Sequence, residues 1–146
     1  MRKRSDGKYN VPLLINDRID VHLAIGSAGI HIGQSDTPLP LARKLVGPDA
    51  IIGHSVSSAE EAQFAVDNGA DYVGIGPVWS TNSKDVTHKK ILGCDGVGAI
   101  LEVLAGTGVE AVAIGTLCFG ISVSTNEVRR GTYPKSPSAT TWIYRS

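Results

Sequence analysis

The chain has few of the residues that mark secreted, membrane-spanning or nucleic-acid-binding proteins. Two cysteines, Cys94 and Cys118, are too few for a disulfide framework and have no metal-ligand spacing. No run approaches about 18 apolar residues, and no apolar signal segment follows the charged N-terminus. Fourteen basic and fourteen acidic residues leave no net charge, so neither nucleic acid nor a membrane is indicated as a partner. We therefore expect a cytoplasmic protein in which any anion is bound by a local site.

Aromatic residues are also scarce, at 5% of the chain, whereas glycines number 17. This composition suits tight turns between strands and loops better than it suits a two-sheet sandwich. A length of 146 residues indicates one domain. That length is short for a closed (β/α)8 barrel, which typically needs roughly 250 residues.

Short apolar segments alternate with segments of helical periodicity along the first four-fifths of the chain. The predicted strands are 11–15, 30–32, 50–52, 72–75 and 109–114, and the predicted helices are 18–25, 38–45, 59–66 and 97–104. Ser58 and Glu61 form a capping box. A buried stripe is predicted on the second helix from Pro38, Leu41, Ala42 and Leu45. Such alternation predicts parallel strands joined by right-handed crossovers.

The dipeptide Ile-Gly recurs where four of these strands are predicted to end. The four copies are Ile32-Gly33, Ile52-Gly53, Ile75-Gly76 and Ile114-Gly115. In a parallel α/β sheet the carboxyl ends of the strands share one edge. We therefore expect a set of polar residues that follow the strands to converge there: Asp17, Asp36, Ser55 and Lys84.

The stretch from Ala70 to Lys84 combines a buried strand with a polar loop. Ser80, Thr81 and Ser83, with the neighbouring amides, could donate hydrogen bonds to a phosphate, and Lys84 could supply a charge. A solvated surface loop is the alternative reading of the same residues.

Two carboxylates at adjacent strand ends suit Mg²⁺, which prefers one or two protein carboxylates together with phosphate oxygens. Asp17 and Asp36 are the candidate ligands, although either could instead be a turn or cap residue. Ser55 is a hydroxyl donor rather than a hydrolase nucleophile, since no G-x-S-x-G surrounds it. Of the histidines, His54 is a candidate site residue, and His31 is expected to be hydrogen-bonded within the sheet.

Five ordered segments carry a resemblance to a known family. They are Leu-Leu-Ile-Asn-Asp-Arg (13–18), Gly-Ile-His-Ile-Gly-Gln-Ser-Asp (29–36), Ile-Gly-His-Ser-Val (52–56), Ala-Asp-Tyr-Val-Gly-Ile-Gly-Pro-Val-Trp (70–79) and Val-Ala-Ile-Gly (112–115). The chain resembles thiamine phosphate synthases over 11–115, in the fungal form that is commonly fused to a hydroxyethylthiazole kinase.

The resemblance implies a TIM barrel that joins 4-amino-5-hydroxymethyl-2-methylpyrimidine diphosphate to 4-methyl-5-(2-hydroxyethyl)thiazole phosphate. It implies that Asp17 and Asp36 hold Mg²⁺ and that Ser55 and Lys84 contact the pyrimidine diphosphate and act in catalysis. The remaining implied substrate contacts are Asn16 at the pyrimidine substrate and, near the thiazole phosphate, Thr81, Ser83 and Gly115.

The chain departs from the family pattern at both ends. A basic segment, 1–10, expected to be flexible, stands where the family has two further strands and a Gln-x-Arg-Glu-Lys-like motif. Thr116-Leu117 replaces the Gly-Ile that binds the thiazole phosphate, and 116–146 is expected to be an irregular tail unrelated to the family. The fold prediction is therefore an incomplete TIM barrel of about five parallel βα units over 11–115, and we expect poor turnover by this chain alone.

Three alternatives stay open at this point. A thiazole tautomerase-like enzyme would share the barrel but not the coupling reaction. A non-catalytic module could bind phosphate, or pair with a copy of itself or with a full-length paralogue through its open edges. The strand pattern alone also allows a five-stranded flavodoxin-like sheet.

Overall fold

The predicted alternation of strands and helices is confirmed by a computed structural model, which describes residues 11–79, 91–114, 128–130 and 142–144. The parallel strands are β1 (Leu14–Asn16), β2 (Gly29–Ile32), β3 (Ile51–Val56), β4 (Tyr72–Ile75) and β5 (Glu110–Ala113). The helices between them are α1 (Ile19–Ile25), α2 (Leu39–Val46), α3 (Ala59–Asp67) and α4 (Gly93–Leu104). From β1 to β5, each of these parallel strands lies beside the next one in the chain, as in a barrel.

The described part of the tail differs from the expected irregular structure. Two short strands, β6 (Val128–Arg130) and β7 (Trp142–Tyr144), form an antiparallel pair, and β7 also pairs antiparallel with β5. The edge of β5 offers unpaired backbone groups, and Trp142, Ile143 and Tyr144 favour strands, which explains the pairing. Among the described residues the sheet stays open, with β1 and β6 at its edges. The incomplete barrel is thus confirmed, whereas 1–10 and the rest of 116–146 lie outside the described residues.

The two faces of the sheet have different chemistry because side chains alternate along each strand. The face toward the helices carries branched apolar side chains that are at most 1% exposed: Ile30, Ile32, Ile52, Val73 and Ile75. Burying each of them contributes about 1.5–3 kcal/mol. The register places polar residues of β2, β3 and β4 on the opposite, concave face, among them His31, Ser55 and Tyr72.

The buried stripe of α2 differs from the predicted one. Leu41 and Leu45 are 47% and 48% exposed, whereas Leu39 and Ala42 are buried in the core. Leu39 and Ala42 are three residues apart and face the sheet together, so Leu41 is turned roughly 200° from Leu39 about the helix axis. Alanine at position 42 lets the helix approach the sheet closely, and the larger leucines remain outside.

Gly53 lies inside β3 and not at its end, so the Ile-Gly repeat does not mark the same bend four times. The strand continues to Val56 and places Ser55 within the ladder, opposite Gly74 of β4. A Cβ on Gly53 would lie 2.0 Å from Cζ of Tyr72, because the phenol ring crosses this position. The glycine is therefore required by the close approach of a ring and not by a turn.

At the amino end of the sheet, the guanidinium group of Arg43 joins four elements. It donates to the carbonyl oxygens of Gly47 at 3.1 Å, Ala50 at 2.7 Å and Gly69 at 2.6 Å. It also donates at 2.7 Å to Oδ2 of Asp71, which accepts the backbone N–H of Ile52 at 2.7 Å. The ends of α2 and α3 are thereby tied to the starts of β3 and β4.

Replacing Arg43 by alanine should lower the free energy of unfolding by about 2 kcal/mol, because several carbonyl groups lose their donor. Arg43→Lys should recover only part of the loss, since an ammonium group cannot reproduce the planar fork. Arg18→Ala is the control: it removes the pair with Asp20, in which both side chains are more than 60% exposed. Chemical denaturation should show almost no change in the free energy of unfolding for Arg18→Ala. An equal decrease in Arg43→Ala and Arg18→Ala would contradict the stabilising role of the Arg43 hydrogen bonds.

Replacing Gly53 by alanine should lower the free energy of unfolding by about 1–3 kcal/mol, because the Tyr72 ring must move. Gly98→Ala is a matched control in α4, where nothing lies within 4 Å of the added Cβ. That control should instead raise the free energy of unfolding by about 0.5–1 kcal/mol through helix propensity. Thermal denaturation of both variants measures the difference, and a stabilised Gly53→Ala protein would show that the ring contact is unimportant.

Candidate functional site

The carboxyl ends of the parallel strands surround an open cavity of about 700 Å³. Its walls include four of the predicted site residues: Asn16, Asp17, Asp36 and Ser55. They come from β1, from the loops after β1 and β2, and from β3. The structure thus brings together residues that lie up to 39 positions apart, as expected for parallel strand ends.

Asp17 occupies a tight turn directly after β1. Its φ angle is 60°, a left-handed conformation that aspartate tolerates better than most residues. Its N–H donates to the carbonyl of His31 at 2.8 Å, and the N–H of Arg18 donates to the carbonyl of Asn16 at 2.7 Å. The first bond ties the turn to β2 and the second closes the turn, so that Asp17 is held at the rim of the cavity.

Asp36 closes the loop after β2. Its Oδ2 accepts the backbone N–H of Gly33 at 2.7 Å, which is the turn chemistry considered for it from the sequence. Asp36 nevertheless lines the cavity. Gln34 of the same loop donates from Nε2 to the carbonyl of Ser55 at 2.7 Å, which fixes the loop to β3.

Ser55 belongs to a hydrogen-bonded row on the concave face. Its Oγ lies 2.9 Å from Nε2 of His31, and Nδ1 of His31 lies 2.8 Å from the hydroxyl of Tyr72. The prediction that His31 is hydrogen-bonded within the sheet is confirmed, but its place in the cavity wall was missed. The alternation Ile30-His31-Ile32 was the available signal, because it turns His31 away from the helix-covered face.

Glu61 is a second cavity residue that was missed as a site residue. The predicted capping box is confirmed, since Oγ of Ser58 accepts the N–H of Glu61 at 3.2 Å. The Glu61 carboxylate reaches one residue further back than expected, accepting the N–H of Ser57 at 2.6 Å and its hydroxyl at 3.0 Å. Because α3 begins where β3 ends, its first turn carries Glu61 into the cavity wall.

His54 lies on the other face of β3 from Ser55 and is absent from the described cavity wall. Its side chain is 2% exposed, packs beside Phe64 with ring centroids 6.4 Å apart, and has no partner for Nδ1 within the described structure. Burial lowers the pKa of His54, while the carboxylates of Glu61 and Asp36 act in the opposite sense. His54 is therefore a core residue behind the site.

The remaining predicted site residues, Lys84, Thr81, Ser83 and Gly115, lie outside the described residues. The described residues on either side of 80–90 are close together beyond the end of β4. The N–H of Leu92 donates to the carbonyl of Pro77 at 3.2 Å, and that of Gly93 donates to the carbonyl of Val78 at 3.0 Å. The described chain therefore stops and resumes at the carboxyl end of the sheet.

Within the described ranges, no group of three or more His, Cys, Asp or Glu side chains is arranged to hold a metal ion by itself. The donors that the cavity offers are hard oxygens, which is the set that Mg²⁺ accepts when phosphate oxygens and water complete its shell. In the same described ranges no helix has the length and apolar character needed to cross a membrane.

Comparison with known proteins gives consistent matches. The thiamine monophosphate synthase family matches residues 4–124. A probable thiamine biosynthetic bifunctional enzyme of Schizosaccharomyces pombe is 56% identical over 65% of this chain and 18% of its own. A thiamine-phosphate synthase of Clostridium novyi is 48% identical over 74% of this chain and 51% of its own.

A solved structure, a thiamine phosphate pyrophosphorylase from Pyrococcus furiosus, matches with a TM-score of 0.62 and 33% identity. The match covers 76% of this chain and 50% of that chain, so this sequence spans about half of that relative. These findings favour the synthase over the tautomerase-like alternative and the barrel over the flavodoxin-like sheet.

The burial of His54 predicts a stability that depends on pH. The pKa of His54 in the folded protein lies below the ordinary value of 6.5, so as the pH falls the unfolded chain is protonated at a higher pH than the folded protein. The buried, neutral form of His54 therefore contributes its full stabilisation above pH 6.5. That contribution is lost as the pH falls through the pKa of His54 in the folded protein. In His54→Leu, denaturation at a series of pH values should give a flatter curve between about pH 7 and 5. Phe64→Leu alters the packing beside His54 but keeps the histidine, so its free energy of unfolding should depend on pH as in the wild type. If the pH dependence of His54→Leu also equals that of the wild type, His54 is not the source of it.

Proposed function

This chain belongs to the thiamine monophosphate synthase family, and from that premise we propose that it acts in the formation of thiamine phosphate in the cytoplasm. The substrates would be 4-amino-5-hydroxymethyl-2-methylpyrimidine diphosphate and 4-methyl-5-(2-hydroxyethyl)thiazole phosphate, with release of diphosphate. The observation that carries the proposal is the single cavity shared by Asn16, Asp17, Asp36 and Ser55.

The charge of the cavity supports a divalent cation as the link to a diphosphate. Its described walls contain three carboxylates, those of Asp17, Asp36 and Glu61, and no lysine or arginine. A diphosphate placed against these groups alone would be repelled. Asp17 and Asp36 would therefore hold Mg²⁺, which supplies positive charge to the diphosphate as it leaves.

The neutral residues would orient the pyrimidine diphosphate. Ser55 lies beside His31 on the concave face and lines the cavity, where its hydroxyl can donate to a phosphate oxygen. Asn16, at the end of β1, would lie against the pyrimidine substrate. Since the thiazole nitrogen captures the pyrimidine cation formed when diphosphate leaves, the protein needs to stabilise the leaving group and does not need a strong base.

The loop 80–90 would complete the site. We propose that Lys84 contacts the diphosphate and that Thr81, Ser83 and Gly115 lie near the thiazole phosphate. The hydrogen bonds of Leu92 and Gly93 to Pro77 and Val78 support this, because they bring both flanks of the loop to the end of the sheet that carries the cavity. A fused kinase and pairing with a second copy remain further proposals for partners.

Isothermal titration calorimetry with Mg²⁺ and inorganic diphosphate tests the metal assignment directly. Asp17→Asn and Asp36→Asn should each weaken Mg²⁺-dependent binding by about 10-fold or more, since each removes a charged ligand. Removal of Mg²⁺ with a chelator should abolish binding to the wild-type protein. Asp49→Asn is the control, because Asp49 lines a separate hollow at the amino end of the sheet and should bind as the wild type does.

The coupling reaction is tested by incubating the protein with both substrates and Mg²⁺ and measuring thiamine phosphate. Any turnover should be lost in the Asp17→Asn variant and kept in Asp49→Asn. If Asp17→Asn and Asp36→Asn bind diphosphate as tightly as the wild type does, the proposed site is refuted. This holds whether or not the protein forms thiamine phosphate.

A further inference from the structure

Three side chains form a continuous hydrogen-bonded row across β2, β3 and β4. His31 lies in the middle, with Nδ1 2.8 Å from the Tyr72 hydroxyl and Nε2 2.9 Å from Oγ of Ser55. Two glycines make room for the row. The Tyr72 ring occupies the space that a Cβ on Gly53 would fill, and Cε1 of His31 lies 3.2 Å from where a Cβ on Gly74 would be.

The directions of these hydrogen bonds decide what Ser55 can do. A neutral imidazole has one nitrogen that donates and one that accepts. If Nε2 accepts, the hydroxyl of Ser55 donates its hydrogen bond to His31, as the hydroxyl of a serine nucleophile does before attack. If Nε2 donates, Ser55 accepts, and its own proton is available to a group in the cavity.

The chemistry of Tyr72 favours the second arrangement. A phenol is a more acidic hydroxyl than an aliphatic alcohol, so it is the better donor to an imidazole nitrogen. Burial raises the pKa of Tyr72 to about 12, which keeps its proton in place. With Nε2 donating, no hydrogen bond within the described residues uses the proton of Ser55, so that proton is available to a ligand in the cavity.

We infer that His31 is a positioning residue, which accepts from the Tyr72 hydroxyl at Nδ1 and donates from Nε2 to Oγ of Ser55. Ser55 is thereby held with its proton directed to an anionic oxygen in the cavity. The identity of the anion as a diphosphate rests on the proposed function. The order of donors and acceptors along the row is independent of it.

A second histidine and serine pair gives a contrast within the same fold. Nδ1 of His22 lies 2.7 Å from Oγ of Ser27, and that hydroxyl donates to the carbonyl of Gly29 at 3.0 Å. Ser27 therefore uses its proton inside the structure, at the amino end of the sheet, and has none to offer to a ligand. The pair supplies the matched control for the row at the carboxyl end.

The proton order is measured by long-range ¹⁵N–¹H NMR of the full chain with labelled histidine. The chain has four histidines, and the His31 signals are identified by their loss in His31→Gln. The expected result is the tautomer protonated on Nε2 for His31 in the wild type. In Tyr72→Phe, which removes only the hydroxyl, the preference for that tautomer should fall. A wild-type His31 protonated on Nδ1 would overturn the inference without any variant.

The consequence for the ligand is measured by titration with Mg²⁺ and inorganic diphosphate. Tyr72→Phe should weaken binding by about threefold and Ser55→Ala by about tenfold, the scale of one lost hydrogen bond. His31→Gln, whose amide can replace the Nε2 donor, should bind more tightly than His31→Leu. Ser27→Ala should bind as the wild type does.

The proposed function and the positioning role of His31 can be refuted independently. A wild-type protein that does not bind Mg²⁺ and diphosphate contradicts the proposed function, while the tautomer of His31 still decides the inference. If the wild type binds and Tyr72→Phe binds equally well, the proposed function stands and the positioning role of His31 is refuted.

Discussion

The arrangement of side chains on β2, β3 and β4 depends on the parallel register of these strands. The register pairs His31 with Gly53 and Gly53 with Tyr72, so a glycine separates the two rings along one row. Because Gly53 has no side chain, Tyr72 reaches across it to His31. A shift of one residue would turn the polar row toward the helices and the isoleucines toward the cavity. The same register therefore determines both the core and the wall of the site.

The sequence was sufficient to predict the order of the elements and the position of the strand-end residues. Periodicity separates helices from strands, and parallel strands share one edge, so Asp17, Asp36 and Ser55 could be assigned to one rim. Resemblance to a family added the proposed reaction. The roles of the individual residues stay predictions.

What sequence reasoning missed depends on contacts between distant residues. Gly53 was assigned to a strand end, because nothing local shows that the ring of Tyr72 lies over it. Glu61 was seen only as half of a capping box, whereas its carboxylate also faces the cavity. The pairing of β7 with β5 joins residues about 30 positions apart, beyond the reach of a local pattern.

The amino end of the sheet contributes to stability, whereas the carboxyl end carries the residues that line the cavity. At the amino end, Arg43 donates to backbone carbonyls and to Asp71, and these bonds tie helices to strands without leaving a donor for a ligand. At the carboxyl end, Asp17 and Asp36 hold short loops with backbone bonds while their carboxylates line the cavity. In barrels of this kind the loops at the carboxyl end carry the chemistry, whereas the opposite end contributes to stability. Arg43 thus fixes the starts of β3 and β4, and β3 carries Ser55 to the rim, where the residue types can follow the needs of chemistry because stability is supplied at the opposite end.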